Sequence, residues 1–145
     1  MPKNKKLDEL TEDLKRIQAD FVNYKNRTES DRQRSFNSGQ EQMVLQLLPI
    51  LDDLSLALNS APKELANHDY VKGIQAVAKR LQATLTQLGV EEINALDQEF
   101  DAESMDAVEV SGDGDKEIVS EVVKPGYTMN DQILRHAMVK VRKEK

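Results

Sequence analysis

Apolar residues near the start of the chain recur at every third or fourth position. From residue 7 to residue 24 the intervals alternate between three and four, which is the a/d seam of a heptad repeat. A seam this narrow cannot bury itself on one helix, so it predicts pairing with a second helix, most economically the same segment of another copy. The residues of this seam are Leu7, Leu10, Leu14, Ile17, Phe21 and Tyr24.

A wider apolar stripe follows between residues 43 and 58, after a polar and mostly basic stretch. This stripe is typical of a helix that packs in a bundle, and Pro49 within it predicts a kink or a local break. The sequence Asn59-Ser60-Ala61-Pro62 predicts the end of the long helix.

A second helix is predicted from about Lys63 to Leu88, with one apolar face and with Gly89 as its C-terminal cap. Two such helices in each chain, doubled by dimerisation, would form a four-helix bundle. The predicted bundle contacts are Leu47, Leu51, Leu54, Leu58, Ile74, Val77, Leu81 and Leu85.

Helical periodicity stops after Val90, and short β-like runs take its place. These runs cover residues 107–110, 117–124 and 136–142, and Gly112-Asp113-Gly114-Asp115 between the first two predicts a hairpin turn. The sequence therefore predicts an α+β protein with a long N-terminal coiled-coil helix, a two-helix contribution to a dimeric four-helix bundle and a small C-terminal all-β domain. The predicted domains are residues 1–89 and 90–145.

Composition narrows the protein class. Of the 145 residues 32% are charged and none is cysteine, which excludes disulfides and thiolate metal sites and fits a reducing compartment. No apolar run approaches the roughly 18 residues of a membrane span. A secretory signal would have an apolar stretch after its basic start, and no such stretch follows the basic residues here. A cytoplasmic location without a membrane partner is predicted.

Charge is distributed unevenly along the chain. The net charge is −6, but residues 91–121 carry twelve acidic residues and one lysine, whereas the last eleven residues carry five Lys or Arg and one Glu. Such asymmetry is compatible with electrostatic guidance of a partner and equally with solvated faces that have no partner.

The sequence contains no arrangement of residues that indicates catalysis. Its two histidines, His68 and His136, lie in different predicted domains, and no cysteine or glycine-rich phosphate loop accompanies them. The acidic turn at residues 112–115 lacks the ligand spacing of a calcium loop. We therefore predict a protein that is not an enzyme, with no catalytic residues, metal, cofactor or small-molecule substrate of its own.

A basic cluster on the long helix raises the possibility of nucleic-acid binding. Acidic residues interrupt this cluster and the whole chain is negative, so a surface that follows phosphates is not predicted. The basic residues are Lys25, Arg27, Arg32 and Arg34, and the interrupting acids are Glu29 and Asp31.

Five segments of the chain, in order, resemble motifs of the GrpE family, the nucleotide-exchange factors of DnaK-type heat-shock chaperones. Together they extend over about residues 10–145. They are Ala19–Thr28, Leu47–Leu54 with its proline and the following Ala57-Leu58, Val71–Ile74, Leu88–Ile93 with Phe100-Asp101, and Gly126–Asn130 with Leu134–Val141.

The chain departs from the family pattern at two places. After Phe100-Asp101 the family usually has a proline and then a histidine, where this chain has Ala102 and Met105. The usual Gly-Arg pair before the final strand is replaced by Asp131-Gln132. That arginine belongs to the chaperone-facing surface in family members, and Arg135 is expected to compensate for it only in part.

The resemblance implies a homodimer that binds the nucleotide-binding domain of a DnaK-type chaperone and promotes ADP release. It also implies attenuation by heat through melting of the long helix. The chaperone contacts it implies are Lys25, Arg34, Gly73, Val123, Met129, Gln132 and Val141. Five of them have a structural alternative: solvated helix charges for Lys25 and Arg34, close helix packing for Gly73, and β-domain core for Val123 and Val141. The competing function is a coiled-coil adaptor without exchange activity.

Overall fold

The computed structural model describes residues 2–145, and its N-terminal half is helical. The first helix, α1, extends over Pro2–Asn59 and ends where the sequence predicts. It continues through Pro49 without a local break, although proline cannot donate the backbone hydrogen bond that other helical residues make.

The second helix, α2, begins later than predicted. Residues Lys63–Leu65 form a short 3-10 turn, and α2 covers Asp69–Gln87. His68 sets this start because its Nδ1 accepts a hydrogen bond from the backbone N–H of Tyr70 at 3.1 Å, which satisfies one of the free donors at the helix N-terminus. Gly89 follows the helix with a φ of +92°, as predicted for a C-terminal glycine.

Six strands follow, arranged in two three-stranded sheets. The first sheet has the order β1-β4-β5, and the second has the order β2-β6-β3, with β2 parallel and β3 antiparallel to β6. Their bounds are β1 Val90–Glu92, β2 Met105–Gly112, β3 Lys116–Lys124, β4 Tyr127–Met129, β5 Gln132–Arg135 and β6 Ala137–Glu144.

The connection between β2 and β3 is a turn, but the prediction of a hairpin there is wrong. The two strands are consecutive in the chain, yet β6 lies between them and pairs with both. Gly112 makes this wide turn possible, because its φ is +79° and a side chain on it would approach the carbonyl oxygen of Lys143 to 2.8 Å.

Two apolar cores hold residues 41–145 together. The first core joins α1 and α2 to the first sheet through Val44, Leu48, Leu51, Leu85, Val90, Tyr127 and Met129. The second core lies against the second sheet and contains Ala95, Met105, Val119, Ala137, Val139 and Val141. Burial of these side chains is the main force that stabilises this part of the chain.

The chain divides into two compact units, one up to Gln40 and one from Glu41 to Lys145. The change from helix to strand falls near residue 90, as predicted, whereas the first core packs residues from both sides of that position together. The division into domains at residue 90 stays a prediction. Within residues 2–145, no helix has an apolar stretch long enough to cross a lipid bilayer.

Candidate interaction surfaces

The heptad seam of α1 has no partner within its own unit. All six seam side chains are between 57% and 65% exposed, although each is large and apolar. Ion pairs one turn apart flank the seam, with Arg16 bound to Asp13 at 2.9 Å. A regular apolar row between charged flanks is the surface that coiled-coil partners bury.

Lys25 and Arg34 both lie on the solvent-exposed surface of α1. Arg34 is 3.8 Å from Asp31, a loose exposed contact that stabilises little. Arg32, by contrast, holds Glu29 through two hydrogen bonds of 2.7 and 3.2 Å. Hydrogen bonding and charge attraction in this pair lower the pKa of Glu29 and raise that of Arg32. Arg34 is therefore freer to bind a partner than Arg32.

Gly73 lies within α2, where glycine weakens a helix by about 1 kcal/mol relative to alanine. Apart from its chain neighbours and the backbone of its own helix, a Cβ atom on Gly73 would meet no described atom within 4 Å. Close packing inside the chain therefore does not explain this glycine. We expect Gly73 to contact a partner instead, either a second copy of the chain or another protein.

The four predicted contacts in the β region fall into two groups. Val123 is 50% exposed, and Gln132 is exposed at the start of β5. Met129 is 2% exposed and Val141 is 1% exposed, because both belong to the cores described above. For Val141 this burial matches the alternative role as β-domain core, and a partner could reach neither side chain without moving its neighbours.

The residues predicted to form the bundle are likewise divided. Leu51 and Leu85 are buried in the chain's own first core, so a second copy has little of either left to cover. Val77 is mostly exposed, and the other five are partly buried: Leu47, Leu54, Leu58, Ile74 and Leu81. The predicted bundle contacts did not include Met43, although it begins the apolar stripe, or Ile50. Both are exposed and continue the spacing of Leu47 and Leu54 at intervals of four and three.

An ion pair between α1 and β5 was also missed. Arg135 donates to both carboxylate oxygens of Asp52, at 2.5 and 2.7 Å, and its Nε donates to the carbonyl oxygen of Pro125 at 2.9 Å. Its guanidinium lies 5.4 Å from the centre of the Tyr127 ring. Because Arg135 is committed to Asp52, it is not available to replace the family's chaperone-facing arginine, as the sequence led us to expect in part.

The acidic segment is partly neutralised by β6. Lys140 lies between two strands and pairs with Glu121 at 3.3 Å and with Glu109 at 3.8 Å. The hydrogen bond to Glu121 and the two carboxylates raise the pKa of Lys140. Lys143 approaches Glu117 at 3.9 Å. Some acidic side chains of this segment therefore form ion pairs across strands, while others are exposed to solvent.

Comparisons with known proteins identify the family of the chain. A sequence model of the GrpE family matches residues 2–143. Protein GrpE of Mycolicibacterium paratuberculosis is 39% identical over 94% of this chain, and this chain spans 57% of that relative's length. Protein GrpE of Alkaliphilus oremlandii is 38% identical over 97% of this chain, which spans 76% of the relative. The chain belongs to the GrpE family.

Proposed function

We propose that this protein is a nucleotide-exchange co-chaperone, which binds the nucleotide-binding domain of a DnaK-type chaperone and promotes release of ADP. The observation that carries this proposal is membership of the GrpE family over residues 2–143. The exposure of Lys25, Arg34, Gly73 and Val123 supports it, because a binding surface must be accessible.

The mechanism requires no bond to be made or broken by this chain. The protein would bind the chaperone more tightly when the nucleotide cleft is open than when it is closed on ADP, and such a difference in affinity shifts the chaperone towards the open state. A thousandfold preference corresponds to about 4 kcal/mol. Linkage is reciprocal: the factor by which the co-chaperone weakens ATP binding equals the factor by which ATP weakens co-chaperone binding. ATP that binds and closes the cleft would therefore dissociate the complex.

Homodimerisation is part of the proposal. The exposed seam from Leu7 to Tyr24 supports it, because each apolar side chain of this row gains about 1.5–3 kcal/mol when it is fully buried. Met43 and Ile50 on α1 and Val77 on α2 are further exposed apolar residues that a second copy would cover. Paired long helices, together with one four-helix bundle to which each copy contributes two helices, would then make one dimer.

The activity is tested by stopped-flow release of a fluorescent ADP analogue from the DnaK-type chaperone of the same organism. Release should become faster as the concentration of this protein rises, and excess ATP should dissociate the complex. A well-folded protein that binds the chaperone without faster release would instead identify an adaptor. The adaptor hypothesis explains the heptad seam as well as the exchange hypothesis does. It does not explain why the chain matches the GrpE family along nearly its whole length.

The substitution Gly73→Asp is predicted to weaken chaperone binding by tenfold or more while the protein stays dimeric. A carboxylate there would project from the open side of α2, where no atom of the chain approaches, and would obstruct a partner in contact with this face. Gly73→Ala is the matched control, and it should retain binding while raising helix stability by about 1 kcal/mol. Sizing by ultracentrifugation gives the decisive comparison: dissociation of Gly73→Asp into monomers would make Gly73 a packing residue between copies.

A further inference from the structure

The joint between α1 and the first sheet combines apolar and ionic contacts. Val44, Leu48 and Leu51 of α1 pack against Tyr127 and Met129 of β4. Beside them the Asp52–Arg135 pair connects positions 83 residues apart in the chain. The side chains of the two residues are only 18% and 16% exposed, so most of the pair is shielded from water.

The two kinds of contact constrain the joint differently. Apolar packing has no preferred direction, so it holds the sheet on the helix without fixing its rotation tightly. A guanidinium that meets a carboxylate through two parallel hydrogen bonds does fix direction, because both groups are planar. Arg135 is itself held by the carbonyl oxygen of Pro125 and lies against the Tyr127 ring, which leaves it little freedom to follow a rotating helix.

The energetics of buried ion pairs favour a role in orientation over one in stability. Removal of two charges from water costs several kcal/mol per ion, and a well-packed apolar pair of similar volume is often as stable or more stable. Asp52 also attracts Lys124, whose Nζ is 3.6 Å away. Two segments of the β region, one with Lys124 and one with Arg135, therefore converge on one carboxylate of the helix.

We propose that Asp52 and Arg135 are positioning residues, which fix the orientation of the β region on α1 and thereby the placement of its partner-binding surface. Val123 precedes Lys124, which lies 3.6 Å from Asp52, and Gln132 lies on the same strand as Arg135. Both predicted contacts therefore belong to segments that Asp52 attracts. The effect on chaperone binding rests on the proposed function. The effect on orientation does not.

The test replaces the pair by apolar residues of similar size, Asp52→Leu with Arg135→Met. The chain has no cysteine, so Gln46→Cys on α1 and Ser111→Cys on β2 introduce two unique sites for spin labels, both at exposed positions. Labelled protein is diluted with unlabelled protein, so that one labelled copy is present in each dimer. Pulsed electron resonance then gives the distribution of distances between the two labels.

In the double variant we expect a free energy of unfolding equal to or above that of the parent protein, together with a clearly broader distance distribution. Affinity for the chaperone should fall at least tenfold. Arg135→Lys keeps the charge but loses the two-point contact, so it should broaden the distance distribution to a smaller extent. If the double variant does not fold, Arg135→Lys alone tests the proposal. The control, Glu117→Leu with Lys143→Met, removes an ion pair within the second sheet and should leave the distribution unchanged.

An unchanged distance distribution in both Asp52–Arg135 variants overturns the proposal, whether or not their affinity for the chaperone changes. An equal broadening in the control would also overturn it, since the effect would then not belong to this joint. If the parent protein fails to bind the chaperone, the proposed function is wrong, while the distance measurement still decides the positioning role.

Discussion

At the scale of single residues, Tyr127 connects the first core to the ion pair. Its ring is nearly buried, and the Arg135 guanidinium lies 5.4 Å from the ring centre. Burial raises the pKa of the Tyr127 hydroxyl above its usual value of 10.0, and the nearby charge of Glu92 raises it further, while Arg135 opposes both. The folded protein therefore favours the neutral phenol.

This pKa shift predicts a loss of stability at high pH. Because the pKa of Tyr127 is higher in the folded chain than in the unfolded chain, its contribution is complete below about pH 10 and declines as pH rises through the folded pKa. One proton changes the free energy of unfolding by at most about 1.4 kcal/mol per pH unit. Urea denaturation of the parent and of Tyr127→Phe between pH 8 and 11 measures the decline, since phenylalanine cannot ionise. A difference between the two proteins that stays constant up to pH 11 would contradict the assignment.

Gly126 gives a second prediction at this scale. A Cβ atom there would lie 2.4 Å from the backbone nitrogen of Ala137 and 2.8 Å from Cδ1 of Ile93. Gly126→Ala should therefore lower the free energy of unfolding by about 1–3 kcal/mol through overpacking. Gly39→Ala is the control, because it meets no atom within 4 Å and replaces a helical glycine. If both substitutions stabilise the protein, the close approach at Gly126 does not restrict this position.

At the scale of elements, α1 is one continuous helix whose support changes along its length. From Val44 to Leu51 it packs into the first core. The polar stretch from Lys25 to Gln42 has no seam, and Phe36, its one large apolar residue, is 61% exposed. Ion pairs within this stretch, such as Arg32 with Glu29, add only a few tenths of a kcal/mol each.

Two thermal transitions are therefore predicted. The stretch from Lys25 to Gln42 should melt first, and residues that belong to the cores should melt at a higher temperature. Circular dichroism at 222 nm should show both steps, and Gly39→Ala should raise only the lower one, since alanine favours the helix by about 1 kcal/mol. A single cooperative transition would contradict this prediction and with it the attenuation of exchange by heat that the family resemblance implies.

Periodicity explains which elements could be predicted from the sequence. The two helices, β3, half of β2 and most of β6 follow from apolar spacing, because each is long enough to repeat its pattern. The strands β1, β4 and β5 have only three or four residues, too few for alternation to be recognised. The position of β6 between β2 and β3 depends on contacts far apart in the chain, which local pattern does not encode.

The candidate surfaces were predictable to a similar extent. The seam was found because a strict heptad stripe has one interpretation. Leu51 and Leu85 were assigned to the bundle because spacing alone does not tell which of two apolar faces of a helix meets its own sheet. The ion pair between Asp52 and Arg135 could not be predicted, because the two residues are 83 positions apart and no local sequence pattern indicates which distant residue either one contacts.

At the scale of the whole molecule, the seam is predicted to determine whether two copies form a dimer. Leu14 and Phe21 are 57% and 63% exposed in the single chain, and a dimer would bury both in each copy. Leu14→Asp removes about 1.5–3 kcal/mol of burial per copy. Over two copies that is about 3–6 kcal/mol, or roughly a hundredfold to ten-thousandfold in the dimer dissociation constant.

Sedimentation equilibrium of Leu14→Asp and Gln18→Asp tests the seam directly. Both substitutions add one negative charge one turn apart on the same helix, but only Leu14 belongs to the apolar row. Leu14→Asp should therefore dissociate at concentrations at which Gln18→Asp and the parent stay dimeric. Dissociation of both variants would point to charge repulsion between copies instead of apolar packing. If neither variant dissociates, the seam is not the principal contact, and the dimer must depend on the exposed apolar residues farther along the chain, Met43, Ile50 and Val77.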